Sequence, residues 1–348
     1  MKWQIQLRNG VDMMKKVILV LLCVLLSAVM IGFITEEKPA ANHTTGENIT
    51  KTYEGKKILY IDSYNVGVDA FDLKMKGIES VLNNTGVELR TVHMDEKKNP
   101  DKEFQKQAAL KAKSVIESFK PDVIISLDDP AFEYVIMPYY KDSNIPVVFG
   151  GVNWDASVYG APYINTAGII EVAMTDQLVS YLSTYSKGNR IGLLAANTTT
   201  DKKNAEYYSK LFNISFAKRY HINTFEEWKQ SFKNLQNETD YILIENNAGI
   251  KNWNDTEAEA FVLENTRIPA GAVLEYITPY TLLGLTKVTE EHGEWPALTA
   301  LRILDGTKPS DIPQIANKKG RLYVNLKIAD KIGAVISPDL LKNAIIIR

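Results

Sequence analysis

Short apolar runs and longer amphipathic stretches alternate along the chain from residue 56 onward. In the first half the apolar runs have the length of strands, at residues 58–61, 87–94, 122–127 and 146–149. Between them, residues 69–83 and 101–119 carry apolar side chains at helical spacing, and Asp129 followed by Pro130 has the composition of a helix start. Alternating strands and helices are typical of a parallel sheet that is covered on both faces. The first half therefore predicts one α/β unit.

The same alternation begins again in the second half. Predicted strands occupy residues 190–195, 241–245 and 270–274, and predicted helices cover residues 172–185 and begin again near Thr200. Thr224 and Thr256 are each followed three residues later by a glutamate, which is the capping-box signature of a helix start. Because the pattern recurs over a comparable length, we predict two similar lobes rather than one long sheet.

After residue 279 the pattern is less regular. A Gly- and Glu-rich loop leads to a predicted helix at residues 295–304, and the prolines of residues 309–313 predict an extended crossing between the lobes. Asn325 and Ser337 are predicted to cap two final helices. The predicted fold class is α/β, with two lobes built on parallel sheets. Lobe 1 is assigned residues 56–166 plus about 282–312, and lobe 2 is assigned residues 167–281 plus about 313–348.

The amino-terminal end contains an uncharged apolar run. Residues 1–16 form a short basic lead, residues 17–34 carry no charge, and residues 35–55 are polar and predict a flexible tether. The apolar run predicts a signal peptide or a membrane anchor, of which we favour the anchor. Basic residues before the run, including Lys15 and Lys16, place the remainder of the chain outside the membrane. Seven Asn-x-Ser/Thr sequons support an exported glycoprotein.

Composition argues against several classes of function. A formal net charge of −2 disfavours a nucleic-acid-binding surface. The single cysteine, Cys23, lies in the apolar run, which excludes disulfides, thiolate metal sites and a cysteine nucleophile from the folded part. The four histidines lack metal-ligand spacing, and Gly-x-Ser-x-Gly and Gly-rich phosphate-binding motifs are missing. We predict that the protein is not an enzyme and has no metal or cofactor, with a two-lobed α/β transferase as the remote alternative.

One predicted strand runs directly into a polar and aromatic turn, at residues 145–155. In open α/β sheets, ligands bind where parallel strands end at their carboxyl edge. Gly150 and Gly151 allow the backbone to approach a ligand, Asn153 offers a donor and an acceptor, and Trp154 supplies a flat apolar surface. The sequence therefore predicts a ligand site here, although glycines also occur in turns for conformational reasons alone.

Polar side chains gather after the predicted strands of both halves, and in the second half they lie in the segments 197–199, 245–247 and 275–276. The candidate ligand-binding residues are Ser63, Tyr64, Asn65, Asp128, Asp129, Asn153, Trp154, Asn197, Thr198, Asn246, Glu275 and Tyr276. Such an uncharged or acidic lining with aromatic rings suits a small polar or zwitterionic ligand, whose ammonium group the acidic side would hold. Other roles stay open, because Asp128 and Asp129 are also placed to cap a helix and Asn197 is also a glycan acceptor.

Several segments of the chain are similar to those of a known family. They are residues 58–64 (Ile-Leu-Tyr-Ile-Asp-Ser-Tyr), 121–125 followed by Asp128-Asp129, 145–154, 304–313, 323–333 and 336–341. They resemble the ABC transporter substrate-binding family that includes tryptophan- and tyrosine-binding proteins. The resemblance implies a type I periplasmic-binding fold, in which two Rossmann-like lobes, joined by three crossings, close on a ligand. It also implies cleft-loop positions for Ser63, Asn65, Asp128, Asn153, Asn197 and Glu275.

These observations predict an extracytoplasmic solute-binding protein at the outer face of the cell membrane. It would bind a small amino-acid-like or aromatic ligand between the lobes and deliver it to the permease and ATPase subunits of an ABC importer. The segments Asp62-Ser63-Tyr64 and Gly151-Val152-Asn153-Trp154 look closer to extracellular sensing domains of the same family. A ligand-sensing module that signals to a separate membrane partner is therefore the alternative.

Overall fold

The structure is a computed structural model that describes residues 52–96, 99 and 101–348. The predicted basic lead, the apolar run and most of the tether lie outside the described residues. The end of the predicted tether is already folded, because Tyr53 is buried, its amide donates to the Thr85 carbonyl and its hydroxyl donates to Asp305. Within the part of the chain that the structure describes, no helix combines the length and the hydrophobicity needed to cross a membrane.

Thirteen strands in the described part of the chain form two sheets. They are β1 (Lys57–Asp62), β2 (Glu88–His93), β3 (Val123–Leu127), β4 (Val147–Asn153), β5 (Thr166–Glu171), β6 (Ile191–Ala196), β7 (Phe216–Ile222), β8 (Tyr241–Ile244), β9 (Ala270–Ala272), β10 (Leu283–Lys287), β11 (Ile315–Ala316), β12 (Gly320–Asn325) and β13 (Ala344–Ile347). The first sheet has the order β11-β5-β4-β3-β1-β2 and is parallel throughout. The second has the order β13-β12-β10-β9-β8-β6-β7, in which β10 and β12 pair antiparallel. The prediction of two α/β lobes with parallel sheets is confirmed, apart from this one antiparallel pair.

Helices cover both sheets. They are α1 (Asp69–Leu82), α2 (Lys102–Phe119), α3 (the consecutive segments Asp129–Ala131, Phe132–Ile136 as a π-helical turn, and Met137–Tyr139), α4 (Thr175–Ser183), α5 (Thr199–Phe212), α6 (Phe225–Glu238), α7 (Asp255–Asn265), α8 (Glu291–Leu304), α9 (Leu326–Ile332) and α10 (Pro338–Asn343). The predicted caps Thr224, Asn325 and Ser337 are confirmed. The predicted cap Thr256 is wrong, because Asn254 accepts the amide of Glu257 and starts α7 earlier.

The chain crosses between the sheets three times, after Glu171, after Lys287 and between Ala316 and Gly320. Each crossing lies a few residues later than the predicted lobe boundaries at 166/167, 281/282 and 312/313. The reason is that β11 has only two residues and that β5 and β10 each contain a glycine and a threonine, so their apolar pattern is weak. The predicted extended crossing at 309–313 is also wrong, since Pro309–Asp311 form a 3₁₀ turn and Ile312 is buried in the core of lobe 1.

The backbones of helices α8 and α1 pack directly against each other. Because α8 follows the second crossing, this contact attaches the returning chain to lobe 1. A Cβ atom on Gly293 would lie 1.9 Å from the carbonyl oxygen of Lys74, and one on Gly77 would lie 2.1 Å from that of Glu290. Only glycine permits this approach. The contact fixes the relative position of the two helices. Lys74 of α1 and His292 of α8 then point toward the ends of the strands.

Replacing Gly293 with alanine is expected to lower the free energy of unfolding by about 1–3 kcal/mol, because the added methyl group forces α1 and α8 apart. Denaturant titration of the variant measures this loss. Leu298→Ala on the exposed side of α8 is the control and should change stability by less than about 1 kcal/mol. Equal effects of the two substitutions would contradict this account of the helix contact.

Candidate functional site

A cavity of about 190 Å³ lies between the two lobes, at the carboxyl ends of strands from both sheets. From lobe 1 and the first crossing it is lined by Asn153, Trp154, Glu171, Val172 and Ala173. From lobe 2 it is lined by Thr200, Asn204, Tyr208, Glu245, Leu274 and Lys287, together with Val273. Asn153, Glu171 and Lys287 are the last residues of β4, β5 and β10, so the strands themselves position these side chains.

Glu171 and Lys287 form an ion pair in the wall of the cavity. Each ends a strand just before the chain crosses to the other lobe, so the pair also joins two of the three crossings. Burial alone would raise the pKa of Glu171, but the positive charges of Lys287 and Lys74, with a contribution from His292, lower it to about 2. Glu171 is therefore ionised at neutral pH and neutralises the charge of Lys287.

Glu245 is a buried acid that forms no ion pair with any described residue. It directly follows β8, and its Oε1 accepts the hydroxyl of Tyr208 at 2.9 Å. Its Oε2 is buried and has no hydrogen-bond partner among the described residues. Burial raises the pKa of Glu245 to about 7, the nearby Asp201 adds to the increase, and Tyr208 and Asn204 oppose it. The cavity thus contains one carboxyl group whose second oxygen has the Asn204 side chain nearby but no hydrogen bond of normal geometry, so it can accept from a cationic group.

Replacing Glu245 with glutamine is expected to change how stability depends on pH. Between about pH 4.5 and pH 7 the folded chain keeps a proton on Glu245 that the unfolded chain has lost, so the free energy of unfolding falls as pH rises through this range and levels off above it. The decrease amounts to roughly 3 kcal/mol for a shift of this size. Glu245→Gln cannot ionise and keeps an oxygen for Tyr208. Denaturant titrations from pH 5 to 8 should show that the free energy of unfolding of the variant increases relative to that of the parent protein as pH rises. A constant difference between the two proteins across this range would contradict the prediction.

Trp154 connects the two lobes beside the cavity. Its amide donates to the carbonyl of Glu171 at 2.9 Å, and its φ of 64° turns the indole away from β4. The ring stacks on Tyr207 of α5, with centroids 5.2 Å apart and planes 7° apart, and meets Tyr208 edge-on at 5.6 Å. Next to it, Asp155 pairs with Lys210 of α5 at 3.1 Å. Both contacts join lobe 1 to the same helix of lobe 2.

Another ion pair, between Lys74 and Asp128, lies buried in lobe 1 at the end of β3. Burial would lower the pKa of Lys74, but the carboxylates of Asp128, Glu171 and Asp62 raise it, so Lys74 stays charged. Burial raises the pKa of Asp128, although Lys74 opposes the increase. Asp128 occupies the N-cap position of α3 and makes no side-chain cap hydrogen bond, so capping is not its role.

Of the twelve candidate residues, the structure brings Asn153 and Trp154 to the cavity wall. Asp129 supports Asn153, since its Oδ2 accepts the Asn153 side-chain amide at 2.6 Å and its Oδ1 accepts the Tyr159 hydroxyl at 2.8 Å. Ser63 is buried, where its hydroxyl donates to the Leu127 carbonyl and accepts the amide of Ala131. Tyr64 lies under the ammonium of Lys74, which is 5.4 Å from the centre of the ring.

The other candidates lie outside this cavity. Asn65 lines a separate surface depression beside His93. In lobe 2, Asn197 is exposed and donates to Asn223, and Thr198 caps α5 by accepting the amide of Asp201. Asn246 accepts the hydroxyl of Tyr276, and Glu275 and Tyr276 are exposed at the start of a 3₁₀ helix. Contact of these residues with a ligand stays a prediction.

The lobe 2 residues that line the cavity were not among the candidate ligand-binding residues, but most of them lie within a few positions of a candidate. Glu245 belongs to the predicted polar segment 245–247 and adjoins the candidate Asn246, and Leu274 adjoins the candidate Glu275. Thr200 and Asn204 lie within the first turns of α5, just beyond Thr198. The available signal was the acidic residue at the very end of an apolar run, Tyr-Ile-Leu-Ile-Glu. Glu171 and Lys287 had no such signal, because β5 and β10 were not recognised as strands.

The site contains no grouping of protein ligands suited to a metal. Among the described residues, no three His, Cys, Asp or Glu side chains converge closely enough to hold an ion. His292 is buried with its Nε2 3.7 Å from Glu171, and burial lowers its pKa to about 4, so it is neutral at pH 7. The arrangement of the cavity is that of a binding site with charged and aromatic walls.

The amino-acid sequence was compared with models of known protein families and with curated proteins. A sequence model described as ABC transporter substrate binding protein matches residues 63–347. A comparison with curated protein sequences found no match.

Solved structures show the same fold. The ligand-free, open structure of CD0873, a substrate binding protein with adhesive properties from Clostridium difficile, has a TM-score of 0.63 at 19% identity, over 84% of this chain and 99% of that one. A periplasmic ribose ABC transporter from Conexibacter woesei has a TM-score of 0.51 at 12% identity, over 84% of this chain and all of the other. At these identities the likeness establishes the two-lobed fold of periplasmic binding proteins.

Proposed function

The chain belongs to the ABC transporter substrate-binding protein family, and we propose that it is an extracytoplasmic protein that captures a small solute between its lobes and delivers it to an ABC importer. The ligand carries a positively charged nitrogen and an apolar portion. The observation that carries this proposal is Glu245, a buried carboxyl group in the wall of the interlobe cavity with one unpartnered oxygen.

The size and lining of the cavity support a small ligand. Its volume of about 190 Å³ is below the roughly 300–1,000 Å³ of sites for drug-sized molecules. Trp154, Val273 and Leu274 give it an apolar side, and Glu245 gives it an acidic one. The walls come from both lobes, so a bound ligand contacts both and stabilises their closed arrangement.

Thermal unfolding of the purified full chain with a panel of small metabolites tests the proposal. A ligand that binds only the folded protein raises its melting temperature, and above its Kd the increase grows with the logarithm of the ligand concentration. We expect positively charged solutes with an apolar part to give the largest shifts. If no solute of the panel shifts the melting temperature at millimolar concentration, the proposed solute-binding role is wrong.

Delivery to an importer is the part of the proposal that rests on family membership. A sensing module of the same architecture would bind the ligand in the same way and differ in its partner. The neighbouring genes separate the two functions: genes for a permease and an ATPase support import, whereas a lone membrane kinase supports sensing.

A further inference from the structure

We infer that the solute is an organic monoamine without a carboxylate group, rather than an amino acid. This inference rests on the proposed solute-binding role and specifies its substrate class. It follows from which charges in the cavity are already paired and which are not.

An α-amino acid presents a carboxylate beside its ammonium group, and a buried carboxylate needs a cationic or strong hydrogen-bonding partner. Of the described residues that line the cavity, Lys287 alone is basic. Its ammonium is already paired with Glu171, and within the part of the chain that the structure describes the only other basic side chain at ion-pair distance from Glu171 is His292, at 3.7 Å. If Lys287 formed an ion pair with a ligand carboxylate instead, Glu171 would lose its closest cationic partner.

The amino terminus of α5 does not replace the missing cation. Thr200 of its first turn lines the cavity, but the positive end of this helix already faces a carboxylate of the chain itself. Asp201 lies in the first turn, its amide donates to the Thr198 hydroxyl, and that hydroxyl donates to Asp201 Oδ2 at 2.5 Å. Asp201 is fully buried and its Oδ1 has no partner among the described residues. A ligand carboxylate would meet negative potential here.

Two of the neutral donors of the wall are also engaged. The side-chain amide of Asn153 donates to Asp129 at 2.6 Å, and the hydroxyl of Tyr208 donates to Glu245 at 2.9 Å. Glu245 Oε2, by contrast, is an unpartnered acceptor for an ammonium N–H group. Among the described residues that line the cavity, Glu245 therefore offers an acceptor for one positive charge, and no unpaired basic side chain is present for a negative charge.

Matched pairs of an amino acid and its decarboxylated amine test this inference on the purified full chain. The pairs are tryptophan with tryptamine, tyrosine with tyramine, phenylalanine with phenethylamine, and leucine with isoamylamine. Isothermal titration at pH 8 should show at least one amine binding at least tenfold more tightly than its amino acid. Glu245→Gln should weaken that amine at least tenfold, whereas Glu264→Gln, at an exposed position of α7, should leave its affinity unchanged.

The other outcomes are distinguishable. If the amino acids bind as tightly as the amines or more tightly, the substrate class inferred here is wrong while the solute-binding role stands. If amines bind but Glu245→Gln and Glu264→Gln behave alike, the assignment of the cation to Glu245 is wrong. If no member of any pair binds, the inference fails, and the broader solute panel then decides the proposed function.

Discussion

Replacing Trp154 with alanine is expected to weaken the closed arrangement of the lobes by about 3–5 kcal/mol, the usual cost of deleting a large buried aromatic side chain. Trp154 is 7% exposed and packs with the hydrophobic core of lobe 2, although its backbone follows a strand of lobe 1. The ion pair of Asp155 with Lys210 also joins the two lobes here. Because the Lys210 side chain is 63% exposed, this pair contributes little to holding the lobes together.

Small-angle X-ray scattering of the full chain measures this effect, since separated lobes increase the radius of gyration. Trp253→Ala is the matched control, because Trp253 packs against Phe225 and Trp228 within lobe 2. It should lower the stability of that lobe without changing the radius of gyration. If Trp154→Ala leaves the scattering unchanged, the stacking on Tyr207 does not hold the lobes together.

Replacing Asp128 with asparagine is expected to lower the free energy of unfolding by about 3–5 kcal/mol, because it leaves the ammonium of Lys74 buried without its closest partner. Lys74 is 2% exposed and lies on the helix that packs against α8. Asparagine has nearly the same shape as aspartate, so the substitution leaves the backbone strain at φ 72° and ψ 164° unchanged and the loss reports charge.

Chemical denaturation of Asp128→Asn, Lys74→Met and the double variant measures the coupling between the two residues. The double variant should recover part of the stability, because it removes both charges. Asp155→Asn breaks the more exposed pair with Lys210 and should cost no more than about 1 kcal/mol. Equal losses for Asp128→Asn and Asp155→Asn would contradict the role given to the buried pair.

Local sequence patterns predicted the elements that are regular and strongly apolar. In lobe 1, β1, β3 and β4 were recognised because they are buried almost throughout and read as continuous apolar runs. β7 was missed, since it lies at the edge of the sheet with only one of its seven residues buried, and three of the seven are Lys, Arg or His. β10 was missed because it is five residues long and contains Gly284. Its place beside β9 and β12 depends on tertiary pairing.

The part of the candidate site that could be predicted consists of residues whose positions depend on the end of a single strand. Asn153 and Trp154 follow from the end of β4 and lie in the cavity wall. Glu171, Lys287 and Tyr208 come together from two strand ends and a helix whose relative positions the local sequence does not encode. The ion pair of Lys74 with Asp128 was hidden for the same reason, because 54 residues separate its members.

A crystal structure of the full chain with the amine that binds most tightly in the titrations tests the central claim, that the space between the two sheets is the solute site. We expect the ligand to lie between Trp154 and Glu245, with its nitrogen about 2.7–3.2 Å from the Glu245 carboxyl group. A ligand bound elsewhere on the molecule, or a cavity closed by side chains while the ligand is bound, would contradict the account.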